Sequence, residues 1–300
     1  MKKLTLLSIM IAAIMLISFT SCQKDGEYNP KKKISRIFYE EPGEGKYLGE
    51  TFIWDKNLLS KIDFGEGDFL LFEYDKKRVS RVVSSDGGTM IKFTYDGSNY
   101  DKVEETSNYG WGGFSFTYHT VYKFSYKGNK IDKISVTETS TSTIPDFKGK
   151  IEKPNRKFNP MQLVLPELTC KSIANVQSKK IAKGTNSNTS TYTVFFTWKG
   201  NNVEKQVTEF IEEDGEIYTE TFTATYDNKN NPFRGFPFME EWGGGDTNSK
   251  NNVTKIVYVA SDGDSGEIQY TYKYDKNFPT ERIITLMGID VVTVSYEYVK

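Results

Sequence analysis

Apolar and polar side chains alternate residue by residue along much of this chain. The clearest segments are residues 114–119, 122–126, 221–226, 270–275 and 292–298, where Tyr, Phe and Val alternate with Thr, Ser and charged residues. Successive side chains of a β-strand point to opposite faces of the sheet, so each segment builds one apolar face and one polar face. The pattern predicts an all-β, antiparallel fold with one face of the sheet buried.

A degenerate repeat joins the predicted strands into hairpins. Its unit is an alternating strand that ends in Tyr or Trp, then a short polar turn, then a strand of apolar and basic residues. Copies start at Trp54, Tyr74, Tyr126, Trp198, Tyr226 and Tyr274. Turns rich in Gly, Asp and Asn separate the strands, as tight hairpin turns require. We therefore predict a large meander of hairpins over residues 34–300, curled or closed into a barrel-like sheet.

One stretch, residues 137–190, interrupts this rhythm. Thr and Ser dominate residues 137–143, several prolines follow, and residues 186–190 are again rich in Asn, Ser and Thr. We interpret it as an irregular insertion within a single β-domain, with two separate domains as the alternative. The only helix candidate of the chain, residues 163–180, lies inside it and is interrupted by Pro166.

The N-terminus has the character of a lipoprotein signal. Two lysines precede an apolar run over residues 4–19, which is shorter than the ~20 residues of a membrane-spanning helix. Small residues then lead to Cys22, an arrangement that resembles the bacterial lipobox. We predict a signal peptide over residues 1–21, a lipidated Cys22, and a flexible tether over residues 22–33. An ordinary signal peptide followed by an incidental cysteine is the alternative.

The residues that follow Cys22 suggest a destination. Residues 23–27, QKDGE, resemble the export signal of surface-displayed Bacteroidetes lipoproteins. We therefore expect an outer-membrane protein that is exposed at the cell surface and touches the membrane through the lipid on Cys22. A simple hydrophilic tether is the alternative for these residues.

Composition excludes several classes of function. The 300 residues include 39 Lys and Arg against 40 Asp and Glu, a net charge of −1, which argues against a nucleic-acid partner. Aromatic residues make up 14% of the chain, enough for a core and too many for a disordered protein. One histidine, His119, and two cysteines exclude a multi-histidine zinc site and a disulfide framework. Since Cys22 carries the lipid, we expect Cys170 to be a buried apolar residue.

Several motifs resemble a family of Bacteroidetes lipoproteins. They are YDNKNNPF at residues 226–233, SKNNVTKI at residues 249–256 and LVLPEL at residues 163–168, taken together with the lipobox. That family is catalogued as a domain of unknown function with a porin-like fold, and the resemblance covers most of residues 34–300. It implies a large antiparallel barrel-like structure. It implies no enzymatic activity, no catalytic residue and no cofactor.

A porin-like fold raises the question of whether the barrel spans the membrane. A membrane barrel needs strands of about 9–11 residues with an outward apolar band. The alternating runs of this chain are mostly shorter, and charged residues stand at many strand ends. We therefore expect a soluble barrel with its aromatic face inside.

Two glycine-flanked tryptophans are the candidate ligand-binding residues. Trp111 lies between Gly110 and Gly112, and Trp242 precedes three glycines. Tryptophan in a loop can stack on a sugar ring, and loops on a rigid β scaffold often carry binding residues. A tryptophan that folds back over the core is the alternative at both positions.

A candidate metal site is the loop that contains Asp262, Asp264 and Glu267. Its carboxylates are oxygen ligands of the kind that calcium prefers. The spacing differs from the 12-residue EF-hand loop, and a plain hairpin turn is the alternative.

These observations favour a non-enzymatic surface module that binds a ligand, with a glycan as the candidate. The first alternative is a structural or interaction protein that partners an outer-membrane complex. The second is a hydrolase, which finds little support because adjacent carboxylates such as Glu104 and Glu105 face opposite sides of a strand.

Overall fold

The computed structural model is a single closed barrel of antiparallel strands. The structure describes residues 24–111, 114–144, 184–211, 215–238, 248–286 and 288–300. Within these residues, each of the sixteen strands pairs with its sequence neighbours, and the first strand closes the ring on the last. The prediction of an all-β antiparallel meander closed into a barrel-like sheet is confirmed.

The strands are between 7 and 16 residues long. In chain order they are β1 (Ile34–Glu40), β2 (Tyr47–Asp55), β3 (Leu58–Gly65), β4 (Asp68–Asp75), β5 (Arg78–Ser84), β6 (Thr89–Asp96), β7 (Asn99–Trp111), β8 (Phe114–Lys127), β9 (Lys130–Ile144), β10 (Gly184–Lys199), β11 (Asn202–Ile211), β12 (Ile217–Asn230), β13 (Asn251–Ala260), β14 (Ser265–Asp275), β15 (Phe278–Leu286) and β16 (Ile289–Tyr298).

The two ends of the barrel differ. At one end, called the N-terminal end, lie residues 24–33, the C-terminus, residues 231–238 after β12 and a set of two-residue turns. The first turn residue has a positive φ at Lys56, Lys76, Gly97, Gly128, Gly200 and Lys276, which explains the recurrence of glycine at this position of the repeat. At the opposite end, called the far end, β7 to β10 extend to between 13 and 16 residues.

A ring of aromatic side chains around the N-terminal end explains the sequence repeat. Each side chain donates its hydroxyl or indole N–H to a backbone carbonyl of the preceding hairpin, which satisfies its polar group while the ring packs on the core. The bonds are Trp54 to Ile34 (2.7 Å), Tyr74 to Leu59 (2.8 Å), Tyr95 to Val79 (2.5 Å), Trp198 to Ile131 (2.7 Å), Tyr226 to Val203 (2.5 Å), Tyr272 to Val253 (2.8 Å) and Tyr298 to Pro279 (2.6 Å).

Residues 24–33, called the strap, pack against this end of the barrel. Tyr28 is buried and donates its hydroxyl to the carbonyl of Pro232 at 2.9 Å. The carbonyl of Gly26 accepts the backbone N–H of Val79 at 3.1 Å. At Gly26, φ is 75° and a Cβ would lie 2.0 Å from the Tyr95 hydroxyl, so only glycine fits. The predicted flexible tether is therefore corrected for these residues, because the strap is fixed to the barrel.

Residues 231–238, called the plug loop, follow β12 and enter the barrel from the same end. Their three phenylalanines are all buried. Phe236 packs edge-on against Tyr28 of the strap, while Phe238 packs edge-on against Tyr122 and Phe124 of β8. The strap and the plug loop together cover the aromatic core at this end.

The predicted insertion is strand over much of its described length. β9 and β10 pair without a register shift from Ile144 with Gly184 to Lys133 with Phe195. Residues 137–143 and 186–190 therefore belong to two paired strands. Many of these residues are threonines, whose β-branched side chains suit a strand. Residues 145–183, with the helix candidate and Cys170, lie outside the described residues.

The outer wall of the barrel carries charged and polar side chains together with exposed apolar ones such as Ile53, Leu71 and Phe195. Ion pairs join neighbouring strands at Arg36–Glu297 (2.7 Å), Arg81–Glu73 (2.6 Å), Lys255–Glu267 (2.5 Å) and Lys273–Glu281 (2.7 Å). Many strands are longer than the alternating runs suggested, so the prediction that strand length distinguishes this barrel from a membrane barrel is wrong. Among the residues that the structure describes, no helix has the length and apolarity to cross a bilayer.

Candidate functional site: a cavity at the N-terminal end

A cavity of about 540 Å³ opens at the N-terminal end of the barrel. Its walls come from the strap, the plug loop, the start of β13 and three adjacent hairpins, β6–β7, β8–β9 and β10–β11. This volume lies within the range of about 300–1,000 Å³ that is typical of small-molecule sites. The cavity exists because the strap and the plug loop cover the barrel end without filling the space beside these hairpins.

Aromatic rings form the apolar part of the lining. They are Tyr100, Tyr126, Trp198, Phe236 and Phe238. The indole of Trp198 is held by its bond to the Ile131 carbonyl, and the ring of Tyr100 packs on Phe124 at 5.2 Å. Tyr100, Phe236 and Phe238 are buried, so the half-buried rings of Tyr126 and Trp198 are the surface on which a flat apolar face can stack.

Basic side chains dominate the charged part of the lining. Among the residues that the structure describes, the charged members of the lining are Lys24, Lys130, Arg234, Lys250 and one carboxylate, Asp25. The Lys130 ammonium donates to the Gly200 carbonyl at 2.5 Å and lies 5.6 Å from the Trp198 ring, which leaves it with donors for a ligand. Burial lowers the pKa of Arg234. The cavity is therefore a site of positive charge on a chain whose overall charge is close to zero.

Two tyrosines of the repeat, Tyr126 and Tyr274, donate their hydroxyls to a carboxylate and not to a backbone carbonyl. Tyr126 donates its hydroxyl to the Asp25 carboxylate at 2.5 Å instead of to a carbonyl, and the Tyr100 backbone N–H lies 3.1 Å from the same oxygen. Burial raises the pKa of Asp25, while the bonds from Tyr126 and Tyr100 and the charge of Arg78 oppose that rise. Asp25 and Tyr126 both line the cavity, whereas Tyr274 and its acceptor Asp227 do not.

Side-chain amides complete the rim. Asn99, Asn129 and Asn201 come from the three hairpins, and Asn248 comes from the approach to β13. An amide offers both donors and an acceptor, so these groups can match the hydroxyls of a polar ligand.

Neither of the two predicted tryptophan sites is among the described residues that line the cavity. Trp111 is the last residue of β7 at the far end, where its backbone pairs with Phe114, so it lies at the end of the barrel opposite the cavity. Trp242 and Cys22 lie outside the described residues. Phe238 and Asn248, the described residues on either side of the Trp242 segment, both line the cavity.

The structure does not bring the three predicted metal-ligand carboxylates together. The Glu267 carboxylate lies on the outer wall, bound by Lys255 at 2.5 Å and by the Gln269 amide at 2.6 Å. Asp262 accepts the backbone N–H of Asp264 at 3.3 Å within the β13–β14 turn. Within the described part of the chain, no group of three or more His, Cys, Asp or Glu side chains could hold a metal ion.

Sequence reasoning missed the cavity residues, although part of their signal was present. Tyr126 and Trp198 are anchors of the repeat, and Lys130 is a basic residue of the strand that follows one anchor. Their assembly into one lining depends on barrel closure and on the return of the strap, neither of which leaves a local motif.

Comparison with solved structures supports the fold. The chain is similar to a porin-like protein from Bacteroides vulgatus, with 11% identity, a TM-score of 0.55, and coverage of 90% of this chain and 99% of that one. It is also similar to a porin-like protein from Bacteroides uniformis, with 12% identity, a TM-score of 0.45, and coverage of 92% and 100%. No protein-family model and no curated protein matches the sequence. The chain therefore has a porin-like fold.

Proposed function

We propose that this protein is a lipid-anchored, non-enzymatic barrel of the cell envelope that binds a glycan in the cavity at its N-terminal end. The observation that carries the proposal is the preformed cavity itself, which combines fixed aromatic rings with amide and ammonium groups. Aromatic faces suit the apolar faces of sugar rings, and amides suit their hydroxyls. This combination supports a binding module better than it supports catalysis.

The lipid anchor and the outer-membrane, surface-exposed location are also part of this proposal. They are supported by the lipobox at Cys22, by the sequence that follows it and by the motifs that resemble Bacteroidetes lipoproteins. A barrel of the porin-like fold accords with an envelope protein. The ion pairs on the outer wall indicate that the wall faces water, because a Lys or Arg at the midplane of a bilayer costs about 2–4 kcal/mol. The lipid on Cys22 is then the part of the protein that contacts the membrane.

Replacing Cys22 with alanine is expected to abolish lipid attachment. Cells grown with labelled palmitate should incorporate the label into the wild-type protein and not into Cys22→Ala. The variant should leave the membrane fraction, because the barrel wall would give it no hold on the bilayer. Equal labelling of both proteins would contradict the anchor.

Narrowing the cavity is expected to abolish glycan binding. Asn129→Trp adds a large ring at an exposed turn residue that lines the cavity. A thermal-shift screen of neutral and acidic glycans should find a ligand that stabilises the wild type by several degrees, since saturation at about 100 times Kd contributes about 2.7 kcal/mol. That shift should disappear in Asn129→Trp.

The matched control for this screen is Lys77→Trp. Lys77 is exposed at the equivalent position of the β4–β5 turn and is not part of the cavity lining. It should keep the full ligand-induced shift. Loss of the shift in both variants, or in neither, would place the ligand elsewhere.

A second candidate function is that of an interaction protein within an outer-membrane complex. It is favoured by exposed apolar side chains at the far end, among them Ile211, Ile217 and Ile289, which are 67%, 59% and 69% exposed. Exposed apolar groups of this kind can mark a contact surface. A membrane partner that co-purifies with the wild type and is lost from Ile211→Ser would support this function instead.

A further inference from the structure

We propose that the ligand of the cavity is a phosphorylated sugar, presented at the surface of the membrane to which the protein is anchored. The inference deepens the proposed function and rests on it. A lipid headgroup and a soluble sugar phosphate share this chemistry, and the experiment below distinguishes them.

The charge of the lining is the first argument. Among the described residues, four basic side chains from four separate parts of the chain line the cavity, against one carboxylate. The whole chain carries a net charge of −1, so this local excess is not a reflection of a basic protein. A phosphate group carries about −1.5 to −2 charges and three acceptor oxygens, and it can therefore bind several cations at once.

The arrangement of the groups is the second argument. Lys130 holds its ammonium close to the Trp198 ring, so a cation and an aromatic face lie side by side in one wall. Asn129 and Asn201 follow in the adjoining turns. A ligand that places a ring on the indole would thus bring its anionic group to the ammonium and its hydroxyls to the amides.

The position of the cavity is the third argument. Lys24 lines the cavity and stands two residues after Cys22, a reach of about 7 Å along an extended chain. The strap is fixed to the barrel, so a lipid on Cys22 holds this end of the barrel close to the headgroup layer. A cavity in this place meets phosphate-bearing headgroups before any soluble ligand does.

The test begins with soluble probes and the mature chain carrying Cys22→Ala. All described strands lie after residue 23, so loss of the signal peptide removes none of the barrel. Calorimetric titration should show that glucose 6-phosphate binds at least about tenfold more tightly than glucose or inorganic phosphate alone. Lys130→Gln and Lys250→Gln should each weaken glucose 6-phosphate by about tenfold or more, because each removes a charge-assisted hydrogen bond. Lys205→Gln, on the outer wall of β11, should leave binding unchanged.

A vesicle arm distinguishes the source of the ligand. The same protein is sedimented with phosphatidylcholine vesicles that contain or lack phosphatidylinositol, whose headgroup is a phosphorylated polyol. Binding to the phosphatidylinositol vesicles alone, displaced by glucose 6-phosphate and weakened by Lys250→Gln, supports a headgroup ligand. Binding of glucose 6-phosphate without vesicle binding supports the phosphorylated sugar and overturns its membrane source.

Other outcomes overturn the inference. Equal binding of glucose and glucose 6-phosphate would overturn the anionic ligand and leave the proposed glycan function standing. Vesicle binding that is unchanged in both lysine variants would show that the cavity is not the site. No binding of any sugar, phosphorylated or neutral, in this titration and in the glycan screen would overturn both the inference and the proposed function.

Discussion

Replacing Phe236 with alanine is expected to lower the free energy of unfolding by about 3–5 kcal/mol. The ring is 2% exposed and lies 5.1 Å from Tyr28, 6.1 Å from Phe72 and 6.3 Å from Phe233. It therefore joins the strap, the barrel wall and the plug loop at one point. Truncation removes the apolar surface and leaves a cavity, and neighbours that are themselves fixed in the barrel cannot collapse into it.

The measurement is chemical denaturation followed by tryptophan fluorescence and circular dichroism. Ile289→Ala serves as the control, because Ile289 is 69% exposed and its truncation should cost less than about 1 kcal/mol. Similar losses in the two variants would show that the plug loop does not stabilise the barrel.

The second large effect concerns the pH dependence of stability, through Glu50 inside the barrel. Glu50 lies on β2, is 2% exposed and accepts the Tyr39 hydroxyl at 2.8 Å. Burial raises the pKa of Glu50 from 4.5 to about 7, and the Tyr39 bond and the charge of Arg282 only partly oppose this rise. The folded barrel therefore favours the neutral, protonated form of the Glu50 carboxyl group.

The sign of the effect follows from proton counting. Between pH 4.5 and about 7 the unfolded chain has released the Glu50 proton and the folded chain still holds it. The contribution of Glu50 to the free energy of unfolding is then greatest below pH 4.5 and falls as pH rises through this window, by about 3 kcal/mol in all. Glu50→Gln should remove this loss, so its advantage over the wild type should grow from about pH 5 to about pH 8.

Denaturation midpoints measured across this pH range test the prediction. Glu297→Gln, a half-exposed carboxylate of the outer wall, is the control and should follow the wild-type profile. Parallel profiles for wild type and Glu50→Gln would show that Glu50 is not the group that titrates.

The fold was predictable because aromatic side chains mark the inward face of the strands. Phe222 and Tyr270 are buried, while Thr223 and Thr271 on the opposite phase are exposed, as the alternation predicted. The alternation of apolar and polar residues gives no prediction where polar residues occupy both faces of a strand. This is the case for residues 137–143, which nevertheless form part of β9. There the pairing with β10 decides the structure, and pairing is a long-range property.

The candidate site was less predictable for the same reason. Asp25 and Tyr126 are 101 positions apart in sequence and meet only because the strap returns across the closed barrel. A single buried tyrosine, Tyr28, converts a polar segment that looks like a tether into part of the barrel end. Glycine-flanked tryptophans are visible in a sequence, but a cavity built from six separate segments is not.

Hydrogen–deuterium exchange of the mature Cys22→Ala chain, with and without saturating glucose 6-phosphate, tests the central claim most directly. The account predicts that slowed exchange is confined to the segments that line the cavity, residues 24–26, 98–100, 126–131, 198–201, 234–238 and 248–250. The β13–β14 turn with Asp262 should exchange at the same rate in both states. Unchanged exchange throughout the cavity segments, or protection limited to the far end, would contradict the account.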